Sequence, residues 1–261
     1  MRRTAHIIGF PWEEKSTLRR GSQLGPWAIR KHLFAAGLLG AAGRGGLVDE
    51  GVVRLPKDDN AFLQMERWIA AILRKGGVPI VLGGDHTVTL PSVRALAAHH
   101  GPVNLVWVDR HADLHPDFLG DRWSHACVAA RLLEGGTVAE LRQFGVRELN
   151  EAERRTAERW RVAIQERPGS VSFEDSRPLY LSIDLDVLDP ASAPGASAGS
   201  EEGWRPEELL EFVRGIPGPI VGLDVVELNP LLDRNGATAR VAAELVGQIV
   251  TEISAAWELV D

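Results

Sequence analysis

Four short apolar segments of this 261-residue sequence are each followed at once by acidic or histidine residues. They cover residues 78–82, 103–108, 179–183 and 219–223, and they have the length and β-branched content of buried strands. Helical patterns separate them along the chain. Because strands that alternate with helices form mostly parallel sheets covered on both faces, we predict one α/β domain over residues 1–261.

The remaining segments supply the other elements of this predicted domain. Further strands are predicted at 4–10, 47–55 and 143–147. Helices are predicted from residue 25, from residue 60, around 90–96 and 130–133, at 150–165, from residue 206 and at the C terminus. Loops are predicted at 36–46, 116–124 and 191–203, and the last is rich in Ala, Ser and Gly and placed like an active-site loop.

Composition narrows the class of protein. Lysine and arginine number 29 against 36 acidic residues, and the net charge of −7 argues against nucleic acid or an anionic membrane as a partner. No apolar run approaches the ~18 residues that a membrane span needs, and the N terminus lacks the long apolar region of a signal peptide. The single cysteine, Cys127, excludes an intramolecular disulfide and is expected to be packed and unreactive. These features predict a cytoplasmic protein.

Acidic and histidine side chains collect at the ends of the predicted strands. After segment 103–108, Asp109, His111 and Asp113 share one side of an extended chain, because strand side chains alternate faces. Asp184 and Asp186 share a side in the same way after segment 179–183. The carboxyl ends of parallel strands meet at one edge, where such sheets bind ligands. Side chains of these types are costly to bury there unless a cation neutralises them, which predicts a metal site.

Two further strand ends contribute to the same edge. His86 follows two glycines, which let the backbone turn tightly and approach a ligand closely, and Glu227 follows segment 219–223. Oxygen and imidazole ligands without thiolate suit Mn²⁺, Mg²⁺ or Fe²⁺, and six ligands suit two ions ~3.5–4 Å apart. Two such ions balance four aspartates, so an added hydroxide leaves a negative centre that favours a cationic substrate. The six predicted ligands are His86, Asp109, His111, Asp113, Asp184 and Asp186.

These segments resemble the signature motifs of the ureohydrolase family, which includes arginase, agmatinase and formiminoglutamase. The first motif is similar to Gly83-Gly-Asp-His86 and the second to Asp109-Arg-His-Ala-Asp113. The third and fourth are similar to residues 182–190 and 224–230. Residues 25–30, 145–147 and 238–240 also fit the family, so the likeness runs from about residue 20 to the end of the chain.

The resemblance implies an arginase-like three-layer α/β/α fold and a centre of two Mn²⁺ ions that activates water for attack on a guanidino or amidino carbon. It implies a homo-oligomer, a trimer or hexamer, and a small cationic substrate. Asp113 would orient the water and pass its proton to the leaving amine, His125 would shuttle protons, and Glu227 would bind the substrate head. One ion would take His86, Asp109, Asp113 and Asp184, and the other Asp109, His111, Asp184 and Asp186.

Departures from the family pattern concern the substrate tail. Arg110 stands where the family usually has alanine, and it is expected to point away towards an acidic partner. His115 replaces an asparagine typical of arginases. Acidic residues outnumber basic ones around the predicted loops (Asp117, Asp121, Glu201 and Glu202 against Arg122), which favours agmatine over arginine. The loop at 193–203 is closer to formiminoglutamases, so formiminoglutamate and arginine stay open as substrates.

Three other classes of protein share part of this pattern. A binuclear phosphoesterase would normally have a Gly-Asn-His motif, which the sequence lacks. A deacetylase with one zinc ion needs fewer ligands and does not account for Asp186. A catalytically silent metal-binding homologue would be expected to have lost a ligand, and none of the six is missing. We therefore predict a metal-dependent C–N hydrolase, with the silent homologue as the alternative outside that class.

Overall fold

The computed structural model describes residues 3–16, 20–39, 47–58, 60–196 and 202–258. Within these residues eight strands form one sheet, and every neighbouring pair is parallel. The strands are β1 (Thr4–Phe10), β2 (Leu47–Val52), β3 (Gly77–Gly83), β4 (Val103–Val108), β5 (Val138–Phe144), β6 (Ala163–Gln165), β7 (Leu179–Asp184) and β8 (Ile220–Val226). Their order across the sheet is β2-β1-β3-β8-β7-β4-β5-β6.

Helices of the described residues cover both faces of this sheet. They are α1 (Gly25–Ala35), α2 (Asn60–Arg74), α3 (Thr89–His100), α4 (Val128–Glu134), α5 (Glu151–Trp160), α6 (Pro206–Arg214) and α7 (Ala237–Glu258). Side chains of α1, α6 and α7 contribute to the hydrophobic core on one face, and side chains of α2 to α5 contribute to the core on the other. The predicted three-layer α/β/α fold is therefore confirmed.

The four central strands β3, β8, β7 and β4 are buried along their whole length. They carry apolar side chains towards both faces, as strands with helices on each side must, and each fully buried Val, Leu or Ile stabilises the fold by about 1.5–3 kcal/mol. Polar residues interrupt this pattern towards the carboxyl ends. Ser182 of β7 and Asp224 of β8 lie opposite each other in register and are both buried.

Two predicted strand boundaries were wrong. The strand predicted at 143–147 is β5, which ends before Gly145, and the φ of 95° at Gly145 turns the chain out of the sheet. Strand β8 continues to Val226, beyond the predicted end at residue 223. Asp224 is therefore a buried member of the sheet and does not belong to the loop that follows it.

The predicted helix at 150–165 was wrong at its C-terminal end. Asn150 caps α5 by accepting hydrogen bonds from the N–H groups of Ala152 and Glu153, so the predicted start is close to the observed one. The helix ends at Trp160, because Arg161 has a left-handed φ of 53°, and residues 163–165 pair with β5 as strand β6. Alternating charges indicate a solvated helix but do not show where it ends.

Two of the three predicted loops can be compared with the structure only in part. The loops at 36–46 and 191–203 include residues 40–46 and 197–201, and these residues, Glu201 among them, lie outside the described part of the chain. The loop at 116–124 is described, and Phe118 and Asp121 exchange backbone hydrogen bonds of 3.1 and 3.0 Å around its tip. Among the described helices, none is both long and apolar enough to cross a membrane.

Candidate metal centre

The order of the strands brings the predicted ligands together. β3, β8, β7 and β4 are consecutive neighbours, and their carboxyl ends lead into His86, Glu227, Asp184 and Asp109, respectively. Side chains from β3, β4 and β7 then form two compact groups, in each of which the candidate ligand atoms lie within 4.8 Å of one another. The groups are His86, Asp109 and Asp184, and Asp109, His111 and Asp186.

The first group surrounds one nitrogen of His86. Its Nδ1 lies 3.0 Å from Oδ2 of Asp109 and 3.3 Å from Oδ2 of Asp184. Oδ2 of Asp113 is 3.5 Å from the same nitrogen, although Asp113 belongs to neither compact group. All four side chains are buried. Three carboxylates therefore converge on a single imidazole nitrogen inside the protein.

Hydrogen bonds on the other side of the ring determine which nitrogen of His86 carries the proton. Nε2 lies 2.9 Å from Oγ of Ser182. The Ser182 hydroxyl donates to Oδ1 of Asp224 at 2.7 Å, and the Tyr180 hydroxyl donates to Oδ2 at 2.8 Å. Because Ser182 has a single hydroxyl proton, and Asp224 accepts it, Oγ must accept from Nε2–H of His86. Nδ1 therefore faces the carboxylates. Burial opposes a charge on the ring, but the hydrogen bonds and charges of Asp109 and Asp184 together outweigh it and raise the pKa of His86 well above its usual value, so without a metal ion Nδ1 carries a proton.

This arrangement fits a bound cation. A positive charge is required between Nδ1 of His86 and the carboxylate oxygens, because a bare lone pair there would be repulsive. A metal ion can take the place of the proton on Nδ1, which is fully buried among these oxygens. Trp107 holds the geometry, because its ring stacks on His86 at 3.9 Å and its Nε1 donates to Oδ2 of Asp109 at 3.0 Å. A buried set of oxygen and imidazole donors is what a hard or borderline divalent metal binds.

The second group lies on the open side of the first. Nδ1 of His111 is 3.0 Å from Oδ2 of Asp186 and 3.5 Å from Oδ1 of Asp109. The imidazole of His111 is 41% exposed, whereas Asp109 is fully buried. Asp109 belongs to both groups, and the N–H of Asp186 donates to Oδ1 of Asp184 at 2.8 Å. The two groups are therefore adjacent, with room for an ion in each.

Charges in this cluster conflict with one another when no cation is bound. Burial raises the pKa of Asp184 well above its usual value, and the charges of Asp186 and Asp109 raise it further. Burial likewise raises the pKa of Asp113, and the charge of Asp109 adds to the effect. Burial opposes ionisation of Asp109 too, but the hydrogen bonds and charges of His111 and His86 together outweigh it and lower its pKa. Two divalent ions would remove this conflict, so the residues fit a binuclear centre.

Asp113 and Glu227, both predicted to act in catalysis, have left-handed backbones with φ values of 50° and 63°. Such a conformation costs about 1–3 kcal/mol for a residue other than glycine and persists only where the surroundings enforce it. The N–H of Glu227 donates to the carbonyl of Gly84 at 2.8 Å, and its Oε1 accepts from the N–H of His86 at 2.9 Å. Burial raises the pKa of Glu227, and the charge of Asp184 raises it further, so the carboxyl group borders the cluster.

His125, the predicted proton shuttle, belongs to neither ligand group. It begins the turn that precedes α4, and its Nδ1 lies 2.9 Å from the main-chain oxygen of Lys15. Cys127 follows two residues later and is fully buried. Burial raises the pKa of its thiol to about 12, so the side chain is packed as a small apolar group. The shuttle role of His125 stays a prediction.

Arg110 and His115, which depart from the family pattern, have defined partners in the structure. The guanidinium of Arg110 contacts Oε1 of Glu148 at 2.6 Å, so Glu148 is the acidic partner that the sequence did not identify. His115 is paired as well, with Nε2 lying 3.0 Å from Nδ2 of Asn150 and 3.7 Å from Oε1 of Glu153. Both residues thus lie in polar networks beside the cluster.

Glycine is required at position 84 for a reason other than the predicted approach of a ligand. A Cβ at Gly84 would lie 2.0 Å from the main-chain oxygen of Trp12, closer than any side chain could tolerate. The N–H of Asp85 donates to that same oxygen at 2.8 Å. Gly84 therefore allows a neighbouring segment of the chain, and not a ligand, to approach closely.

Sequence patterns did not identify the residues that support the ligands. Trp107, Ser182 and Tyr180 read as ordinary members of buried strands, yet each donates a hydrogen bond within the network that holds His86 or Asp109. Ser182 offered one signal, because it precedes Asp184 by two residues and therefore shares its side of β7. A polar residue on the ligand side of an apolar strand is a sign of such support.

Comparison with known proteins agrees with this fold and this centre. Residues 3–251 match the model of the Arginase family. Arginase 1, mitochondrial, of Arabidopsis thaliana is 32% identical over 95% of this chain and 80% of its own length. Agmatinase, mitochondrial, of Gallus gallus is 30% identical over 94% of this chain and 80% of its own. The solved structure of arginase from Medicago truncatula superimposes with a TM-score of 0.89 at 30% identity, covering 97% of this chain and 88% of that one.

The three-layer α/β/α fold and the cluster together define a metal-dependent hydrolase. The chain belongs to the arginase family. Members of this family depend on a binuclear metal centre and hydrolyse C–N bonds of linear amidines, and this chain is an enzyme of that class. One of the named relatives is an arginase and another an agmatinase, at nearly equal identity, so similarity alone does not select the substrate.

Removal of metal should lower the stability of the fold. A ligand that binds only the folded state stabilises it by RT ln(1 + [L]/Kd), about 2.7 kcal/mol at a hundredfold excess over Kd. We expect chelation to lower the melting temperature and Mn²⁺ to restore it, measured by calorimetry on samples of known metal content. An unchanged melting curve in a sample verified to be metal-free would contradict the assignment of the cluster as a metal centre.

Proposed function

We propose that this hydrolase converts agmatine to putrescine and urea at a centre of two Mn²⁺ ions. The observation that carries the proposal is the buried Nδ1 of His86, which faces the carboxylates of Asp109 and Asp184. A positive charge is needed there, which a metal ion supplies in place of a proton, and the group around His111 supports a second ion. Ligands that are all oxygen or imidazole suit Mn²⁺ better than the softer metals that select thiolate.

The proposed ligands are those predicted from the sequence. Asp109 is a member of both compact groups, which supports its role as a bridge between the ions. The second proposed bridge, Asp184, supports the loop of the other group by accepting from the N–H of Asp186. When bound, such ions lower the pKa of water and neutralise the charge that develops on the attacked carbon. The ligands are His86, Asp109, Asp113 and Asp184 for one ion, and Asp109, His111, Asp184 and Asp186 for the other.

Three residues of the chain have proposed roles in binding and proton transfer. Glu227 keeps Oε1 on the N–H of His86 and would accept the substrate guanidinium, a donor that pairs well with carboxylates. Asp113 is buried beside the ligand groups and would take up a proton and pass it to the leaving amine. His125 would exchange that proton with solvent at Nε2, since its Nδ1 is engaged with Lys15.

Acidic residues around the cluster support a cationic tail, although less broadly than the sequence indicated. Asp121 is paired with Lys15 at 2.9 Å, and Arg122 with Glu134 at 3.0 Å, so these charges are largely compensated within the protein. Asp117 remains as the other acid of the same loop, and its charge, like that of Asp113, helps to raise the pKa of Cys127. An acidic surrounding favours the ammonium of agmatine over the carboxylate of an amino acid.

Substrate preference provides the test of this proposal. We expect kcat/KM for agmatine to exceed that for arginine at least ~10-fold, a gap of ~1.4 kcal/mol in transition-state binding. The physical reason is that a carboxylate tail would leave its charge facing acids and without a donor. The assay measures urea release from agmatine, arginine and shorter guanidino acids with the Mn²⁺-loaded enzyme.

Other outcomes of that assay have defined meanings. Equal or reversed values for agmatine and arginine would exclude agmatinase specificity and leave the metal chemistry in place. Release of formamide from formiminoglutamate would favour formiminoglutamase activity. Arg110 or Arg122 would then pair with the glutamate tail of the substrate. No turnover of any member, with two ions bound, would identify a catalytically silent homologue.

The proposal extends to the setting of the enzyme. We place it in the cytoplasm as a single catalytic domain that assembles into a homo-oligomer, a trimer or hexamer as its family resemblance implies. A net charge of −7 supports a small cationic substrate and not nucleic acid as its partner. Sedimentation of the metal-loaded protein would establish the number of subunits.

A further inference from the structure

Lys15 contacts three parts of the candidate site through three different groups. Its main-chain N–H donates to Oδ2 of Asp85 at 3.1 Å, and its main-chain oxygen lies 2.9 Å from Nδ1 of His125. Its Nζ lies 2.9 Å from Oδ2 of Asp121, in the loop that precedes His125. Lys15 is outside all four motif segments, and the proposed chemistry assigns it no role.

The main-chain contact determines the tautomer of His125. A carbonyl oxygen only accepts hydrogen bonds, so Nδ1 of His125 must carry a proton, and Nε2 is the nitrogen that gains and loses one. The contact is compatible with both forms of the ring, because Nδ1 is a donor in the neutral tautomer and in the imidazolium. The carbonyl of Lys15 can therefore hold the ring in one orientation while a proton arrives and leaves.

The backbone of Lys15 is itself fixed to the strand end that carries His86. Asp85 is fully buried and accepts from the N–H and the hydroxyl of Thr87 as well as from the N–H of Lys15. The absence of a side chain at Gly84 lets the main chain of Trp12 lie directly against this turn. The carbonyl of Lys15 thus has a position set by the end of β3.

The side chain of Lys15 fixes the other end of the contact. Burial opposes ionisation of Asp121, but its bonds with Lys15 and with the N–H of Trp123 are stronger and lower its pKa, so it is charged at neutral pH. Asp121 and Phe118 also exchange backbone hydrogen bonds at the tip of the loop. The ion pair therefore ties the loop that leads into His125 to the same residue that holds its ring.

We propose that Lys15 is a positioning residue for His125. Its carbonyl selects the tautomer with the proton on Nδ1, and its ion pair with Asp121 keeps that carbonyl and the loop of His125 in register. The inference rests on the proposed function only in assigning proton transfer to Nε2 of His125. The tautomer itself is a property of the protein without substrate.

Five variants, one of them a double substitution, test the positioning role in the Mn²⁺-loaded enzyme. Lys15→Met and Asp121→Asn should each lower kcat about tenfold with little change in KM, since loosened alignment of a catalytic group by a fraction of an ångström is costly. The double variant should be no worse than either single one, because both remove the same ion pair. Lys15→Arg should restore most of the lost kcat. Arg155→Gln, which breaks the exposed Arg155–Glu151 pair of α5, is the matched control and should leave kcat unchanged.

Two further measurements separate positioning from a merely structural role. Metal content and melting temperature should be nearly unchanged in all variants, because a partly exposed ion pair adds little to global stability. Nitrogen-15 NMR of histidine-labelled protein, with His125→Asn to assign the resonance, should show the proton on Nδ1 in the wild type and a mixture of tautomers in Lys15→Met. A wild-type proton on Nε2, an unchanged kcat in Lys15→Met, or additive losses in the double variant would overturn the proposal. If no substrate is turned over, the proposed function fails while the NMR result still decides the tautomer.

Discussion

Replacement of Asp184 by asparagine is expected to lower kcat at least ~1,000-fold, equivalent to ~4 kcal/mol of transition-state stabilisation. Asp184 lies 3.3 Å from Nδ1 of His86 and accepts from the N–H of Asp186, so both ligand groups depend on its carboxylate. Asparagine keeps the shape and removes the charge that two cations need. Elemental analysis should show less than two bound ions per chain, and excess Mn²⁺ should restore only part of the activity.

Asp189→Asn is the matched control for this substitution. Asp189 lies in the same motif and accepts from the N–H of Ala191 at 2.8 Å, which asparagine can also do. We expect normal metal content and normal kcat. After chelation, Asp184→Asn should be no less stable than the wild type, because burial and the like charges of Asp186 and Asp109 disfavour the ionised carboxylate that the substitution removes. Full metal occupancy in Asp184→Asn would show that the ligands are misassigned.

The parts of the site that could be predicted from the sequence are those that lie close together along it. The spacing of acidic and histidine residues after a buried segment predicts the ligands Asp109, His111 and Asp113. The same spacing predicts Asp184 and Asp186. Parallel pairing then places these strand ends at one edge, because β4 and β7 are neighbours in the sheet. Local spacing, and the rule that the carboxyl ends of parallel strands share one edge of a sheet, were therefore sufficient to predict which residues lie close together.

Ser182 and Lys15 could not be assigned to the groups they support, because each is distant in sequence from its partner. Ser182 bonds Nε2 of His86 across 96 positions, and the Lys15 carbonyl holds His125 across 110. Nothing in the local pattern of either residue records these partners. Tertiary packing alone creates them, and the orientation of His86 and His125 depends on them.

Backbone conformation limited the prediction of the elements as well. The end of α5 depends on a left-handed Arg161, a conformation that charge patterning does not reveal for a residue other than glycine. The partner of Arg110 could not be predicted for a similar reason. Glu148 reaches Arg110 only because residues 111 and 148 form a parallel bridge. Local propensity predicts that an element exists better than it predicts where the element stops.

Glu227→Gln is expected to lower kcat/KM for the guanidino substrate ~100- to 1,000-fold while both ions stay bound. A carboxylate that pairs with a buried cation is worth about 2–5 kcal/mol to binding, and the amide removes its charge. The substitution is otherwise conservative. Glutamine can still accept the 2.9 Å hydrogen bond from the N–H of His86, and the left-handed backbone with φ 63° is untouched. Steady-state kinetics and elemental analysis of the same preparation measure the two quantities together.

The loss of the charge of Glu227 must be distinguished from a weakening of its hydrogen bond with the main chain. Glu208→Gln provides the control. Glu208 accepts from the N–H of Arg205 at 2.8 Å in the first turn of α6, so it tests the same exchange at a main-chain contact outside the ligand groups. Its kcat/KM should match the wild type. If Glu227→Gln lost its ions as well as its activity, Glu227 would hold the metal centre together and would not act chiefly on the substrate. If it kept both, the cationic head of the substrate would have to be bound by another acid of the cluster.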